Sequence, residues 1–138
     1  MKTYFYVLSM LLMAFFLIGC GSEAVEEAKP EPVSFNIEAN DVLTFSVSEL
    51  SFQSGANVTV NVNNTGALDH NWLLVSADKD PLTVTEVDAL YGIKTETIGA
   101  GQSATVEFVA PGPGEYQFVC STSGHAAAGM FGRVIVTE

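Results

Sequence analysis

From residue 34 onward, apolar and polar residues alternate in short runs, broken by glycine, proline or asparagine. Alternation with a period of two marks strands that bury one face. Leu43–Val47, Val58–Val62, Trp72–Ser76, Ala104–Val109, Tyr116–Cys120 and Val134–Thr137 all read this way. Between them, Asn63-Asn64-Thr65-Gly66, Gly99-Ala100-Gly101 and Pro111-Gly112-Pro113-Gly114 supply turn residues. This spacing predicts an all-β domain, an antiparallel sandwich or Greek-key barrel. Pro81–Gly92 is the exception. Asp80 stands where a helix cap belongs, Pro81 suits a first helical position, and Val84, Val87, Leu90 and Tyr91 fall near helical spacing, so a short helical excursion is expected.

Ahead of this domain the pattern changes twice. Met1-Lys2-Thr3 is a short positive start, and Tyr4 to Ile18 is almost wholly apolar. That is a signal-peptide pattern over residues 1–19, with an apolar stretch too short for a comfortable span of roughly 20 residues. Leu17-Ile18-Gly19-Cys20 is similar to a bacterial lipobox, in which the cysteine sulfur takes a diacylglycerol and becomes the first residue of the mature chain. Multiple acylation of Cys20 would anchor the protein firmly. Residues 20–33 then form a lipidated cysteine followed by an acidic, proline-containing linker with no aromatic residue, a segment that does not fold. The domain itself is expected over residues 34–138.

Composition narrows the functional classes. The chain has 138 residues, 48% of them apolar and 15% charged, which suits one globular domain. Its formal net charge is −11, with five lysines and arginines in all, so no basic surface for nucleic acid can be assembled. An acidic exported protein steered toward its partners by long-range charge fits better.

Cysteine, histidine and methionine carry the chemistry. With the leader removed, the remaining soft ligands are His70, His125, Cys120 and Met130, apart from the lipobox Cys20. Three of them share one stretch, Cys120-Ser-Thr-Ser-Gly-His125-Ala-Ala-Ala-Gly-Met130. Cys120 ends a strand, and a glycine precedes both His125 and Met130, where each loop must turn back. A thiolate and two imidazoles with a weak axial thioether is the blue-copper ligand set, and His70 is the available second imidazole. Taken singly, a buried cysteine or methionine is usually core filler. Four such residues with no others to choose from are hard to ascribe to packing. Structural zinc prefers more thiolates and no thioether. A Cys–His nucleophile would need a cleft and an orienting group. A c-type haem is excluded, because no Cys-x-x-Cys-His occurs.

Leu68-Asp69-His70-Asn71-Trp72 and the Cys120–Met130 loop resemble the two ligand segments of azurin-like cupredoxins, and the four-and-four spacing of the loop is most similar to the auracyanins. The resemblance covers residues 34–138. It implies a cupredoxin fold binding one Cu(I)/Cu(II) ion, with His70, Cys120 and His125 as equatorial ligands and Met130 as the axial one. It also implies that Asn71 ties the two ligand loops together and donates a backbone N–H to the thiolate. Three departures stand out. The chain lacks the cysteines for the azurin disulfide, Asp69 replaces the glycine before the first histidine, and Ser123 replaces a common proline. Asp69 favours a four-coordinate site over one with a distant carbonyl ligand.

The resulting expectation is a non-enzymatic one-electron carrier, anchored by lipid and facing the periplasm or cell exterior. It would act as a monomer between redox partners such as c-type cytochromes or membrane electron-transfer complexes. Leu68, Ala126, Ala127 and Ala128 are candidates for an apolar docking face around His125. The alternative is a lipoprotein that stores or delivers copper.

Overall fold

The computed structural model describes residues 29–138. The signal peptide, Cys20 and most of the linker lie outside the described residues. Eight strands form two four-stranded sheets. The first orders β2 (Thr44–Phe45), β1 (Val33–Asn40), β4 (Asn57–Asn64) and β6 (Ser103–Val109) side by side. The second orders β3 (Glu49–Gln53), β8 (Phe131–Thr137), β7 (Gly114–Val119) and β5 (Leu73–Ser76).

The predicted β-sandwich is thus present, with two additions. Strands β1 and β3 were not anticipated, although Val33, Phe35, Ile37 and Ala39 alternate, as do Leu50 and Phe52. The domain accordingly begins inside the expected linker, at Val33. The sheets are also not purely antiparallel: β1 pairs with β4, and β3 with β8, in parallel. Parallel neighbours need a long crossover, and here the chain passes to the second sheet as β3 before returning as β4. The expected strand over Leu43–Val47 shrinks to two residues. Asn40 closes a turn by accepting the Leu43 N–H at its carbonyl (3.0 Å) and the Val42 N–H at its side chain (3.1 Å), which puts Leu43 at φ 60°.

The core follows from the alternation. Val58, Val60 and Val62 on β4 face Val134 and Val136 on β8 and Leu50 and Phe52 on β3, all buried. Each buried side chain of this size contributes roughly 1.5–3 kcal/mol. Trp72 sits at the centre, stacked against Phe108 at 6.3 Å and Phe118 at 6.0 Å between ring centres.

The excursion at 81–92 is not an amphipathic helix. It holds two single turns of 3-10 helix, Glu86–Asp88 and Leu90–Gly92, and Val87 and Tyr91 are exposed. Asp80 caps no helix; its side chain accepts the Leu82 N–H at 3.0 Å in a turn, and Thr85 stands at the start of the first 3-10 turn. The segment covers the outer face of the second sheet. Val84 and Ala89 pack on Leu73, Val75 and Val119, whose side chains point away from the main core. This explains why β5 is apolar on both faces.

Candidate metal centre

His70 lies between the two sheets, just before β5. An isolated bridge to Ile98 holds its backbone, with N–H to carbonyl distances of 3.1 and 2.7 Å. The loop leading into it is tied down by two side chains. Buried Asn64 donates to the carbonyls of Leu68 (2.7 Å) and Ile98 (2.8 Å) and accepts the Gly66 N–H (2.9 Å). Asp41, from the turn after β1, accepts the N–H groups of Ala67 (2.9 Å) and Leu68 (3.0 Å).

Cys120 directly follows β7, and the loop it opens is bonded to itself. Its N–H donates to the Met130 carbonyl at 3.0 Å, and the Met130 N–H donates to the His125 carbonyl at 3.1 Å. Gly124 (φ 84°) and Gly129 (φ 106°) occupy left-handed conformations, which glycine adopts freely. These are the two reversals that the glycine spacing predicted. Between them Ala126–Ala128 form a single 3-10 turn.

The structure brings all four predicted ligands together. One donor atom each from His70, Cys120 and His125 lies within 4.8 Å of the others, and Cys120 Sγ is 3.5 Å from His125 Nδ1. The imidazole ring centres are 4.9 Å apart. His70, Cys120 and Met130 are fully buried, and His125 retains 7% exposure. Neither ring nitrogen of His70 has a hydrogen-bond partner among the described residues. Burying an unpaired polar atom costs about 1–3 kcal/mol, so this residue type is explained by a metal and not by packing. Burial, and then the nearby His125, lower the pKa of His70 below the ordinary histidine value, which keeps it neutral and able to coordinate.

Asn71 joins the two ligand segments, as anticipated, through its side chain. Its Oδ1 accepts the Ser121 N–H at 2.9 Å and its Nδ2 donates to Ser121 Oγ at 2.9 Å. Asn64 and Asp41 were missed by sequence reasoning. Asparagine and aspartate in turns are too common to single out, and the partners that matter most, Ile98 for Asn64 and Ala67 and Leu68 for Asp41, lie 26 to 34 residues along the chain. One anticipated surface residue is misplaced. Ala126 is buried against the excursion, because its 3-10 turn points it inward, whereas Leu68, Ala127 and Ala128 are exposed.

Two buried imidazoles and a thiolate, closed by a thioether, at one end of a β-sandwich define a type 1 copper site on a cupredoxin fold. Comparison with known proteins agrees. A family model described as copper binding proteins, plastocyanin/azurin family, matches residues 31–137, and the chain belongs to that family. It is 33% identical to auracyanin-B of Chloroflexus aurantiacus over 135 residues, covering 85% of this chain but 57% of that protein's length. It is 29% identical to auracyanin-A of the same organism, over 76% of this chain and 75% of the relative. Among solved structures, reduced auracyanin from Roseiflexus castenholzii is similar with a TM-score of 0.68 and 26% identity, over 76% of this chain and 97% of that one. Auracyanin B is similar with a TM-score of 0.66 and 26% identity, over 86% and 96%.

Proposed function

We propose that the protein is a one-electron carrier, tethered to a membrane by a lipidated Cys20, that shuttles electrons between redox partners. The observation that carries this reading is the burial of the ligands. Three of the four are fully covered and only His125 reaches the surface, a design that admits an electron but neither substrate nor solvent. Copper, when bound, supplies the Cu(I)/Cu(II) couple. The protein's part is to hold the ligands still. The Cys120–Met130 loop bonds to itself, Asn71 ties it to the His70 segment, and the Ile98 bridge fixes His70. A scaffold so constrained adjusts little between oxidation states, and little reorganisation favours fast transfer.

His125 is the proposed exit for the electron. Exposed Leu68, Ala127 and Ala128 would form a small apolar docking face. A small apolar patch within an acidic surface (net charge −11) suits brief encounters. The proposed partners are redox proteins such as c-type cytochromes or membrane electron-transfer complexes, met by a monomer on the periplasmic or outer side of the membrane.

The test is the spectrum of the copper-loaded domain. It should bind one copper and show an intense thiolate-to-Cu(II) band in the visible, which Cys120→Ser should abolish. Tight zinc binding with no coloured copper form would refute the assignment, and ready loss of Cu(I) to a chelator would favour copper delivery. For the anchor, Cys20→Ser should leave unlipidated precursor. Membrane attachment surviving that change with the N-terminus still cleaved normally would refute it.

A further inference from the structure

Asp41 holds the loop before His70 at close range, and the sequence makes room for it. Its carboxylate accepts the N–H groups of Ala67 and Leu68, with both oxygens 2.9 Å from the Ala67 nitrogen. A Cβ on Gly66 would fall 2.0 Å from Asp41 Oδ1 and 2.6 Å from its carboxyl carbon. Gly66 does not have a positive φ, so its backbone does not require glycine; the close approach of Asp41 does. The same Oδ1 lies 4.0 Å from Nε2 of buried His70. That is too long for a hydrogen bond but close for a charge. The backbone donors, chiefly Ala67 and Leu68, hold the Asp41 carboxyl below the usual carboxylate range, so it is ionised at neutral pH. The neighbouring Asp69 carboxylate, within 3.7 Å of where a Cβ on Gly99 would lie, also bears on His70, but more weakly than Asp41 does.

The geometry points to Asp41 as a positioning residue for the metal centre, one that orients His70 and lowers the reduction potential of the copper bound there. A carboxylate facing Nε2 favours the tautomer protonated at that atom, which leaves the Nδ1 lone pair for the metal. Its negative charge stabilises the oxidised site, with the higher positive charge, more than the reduced one. The inference rests on the type 1 copper reading.

The experiment compares the intact protein with Asp41→Asn, Gly66→Ala and, as a control for losing one charge, Glu107→Gln. Glu107 pairs with Thr59 partway down the sandwich, several rungs from the Asn64 end of β4 that faces the site. Asparagine keeps an oxygen for the loop N–H groups while removing the charge, so Asp41→Asn should keep the blue band and shift the Cu(II)/Cu(I) preference about tenfold toward Cu(I). That is a rise of about 59 mV for one electron in voltammetry. Gly66→Ala, which displaces the carboxylate without neutralising it, should shift the potential the same way, and Glu107→Gln should shift it far less. In metal-free protein, nitrogen NMR should find His70 protonated at Nε2, and Asp41→Asn should redistribute the proton toward Nδ1. A potential in Asp41→Asn no different from that of Glu107→Gln, with the blue band intact, would overturn the proposal, as would an unchanged tautomer. Should Asp41→Asn fold poorly, Gly66→Ala decides by the same two readouts. A wild-type protein without a blue band would instead overturn the copper reading itself.

Discussion

Replacing Asn71 with alanine tests whether the two ligand segments are held together by one side chain. Asn71 is 3% exposed and makes two bonds of 2.9 Å to Ser121. Truncation leaves the part-buried Ser121 N–H without its acceptor, which costs about 1–3 kcal/mol. The Ser121 hydroxyl can turn toward water, so its loss adds at most about 1 kcal/mol. The expected total is about 1–4 kcal/mol, or roughly 5–25 °C in melting temperature for a domain of this size. Guanidinium unfolding of metal-free protein would measure it, with the fully buried Trp72 as an internal fluorescent probe. Ser121→Ala is the partner variant. It removes the hydroxyl and keeps the N–H, so it should cost little and leave the Asn71→Ala penalty nearly intact. In the copper form, Asn71→Ala should keep its colour but release the metal faster to a chelator. A loss of stability below about 0.5 kcal/mol, or a penalty that vanishes in the Ser121→Ala background, would refute the tether.

Met130→Leu should retain copper and colour while raising the potential, because losing a weak donor disfavours Cu(II), whereas His70→Ala should damage the site severely; voltammetry and copper analysis separate the two, and equal copper loss would contradict an axial role. Gly132→Ala should destabilise the fold by about 1–3 kcal/mol through overpacking, since the new Cβ would lie 2.2 Å from the Phe118 ring and 2.6 Å from the Ser48 carbonyl; thermal melting measures it. Asp88 tests the anchoring of the excursion by pH. Lys79 first, and then the Thr85 N–H and hydroxyl, hold its carboxyl at about 2 against an ordinary 3.8. The folded form is therefore the more acidic one, and its contribution is present above 3.8 and fades as pH falls toward 2. Asp88→Asn should accordingly lower stability at neutral pH, and the difference from wild type should close in that acid window.

The copper ligands were legible in the sequence because chemistry left so few choices. Once the leader and the lipobox Cys20 are set aside, two histidines, one cysteine and one methionine remain, and glycines mark both reversals of the loop between them. The sandwich was legible for a similar reason: a strand with one buried face must alternate, and β4, β6 and β8 do so plainly. Local pattern failed where partners are distant. The helical spacing of Val84, Val87, Leu90 and Tyr91 suggested a helix, yet Val84 packs on Leu73 and Val119 while Val87 and Tyr91 face solvent. Ala126 looked like surface and proved to be core. Asp41 reaches a loop 26 and 27 residues further along, and Asn71 reaches Ser121 across 50. Such bonds form only after strands distant in sequence have paired, β1 with β4 in one sheet and β5 with β7 in the other. Side-chain periodicity records which face of a strand is buried, but not what the opposite element will bring to it.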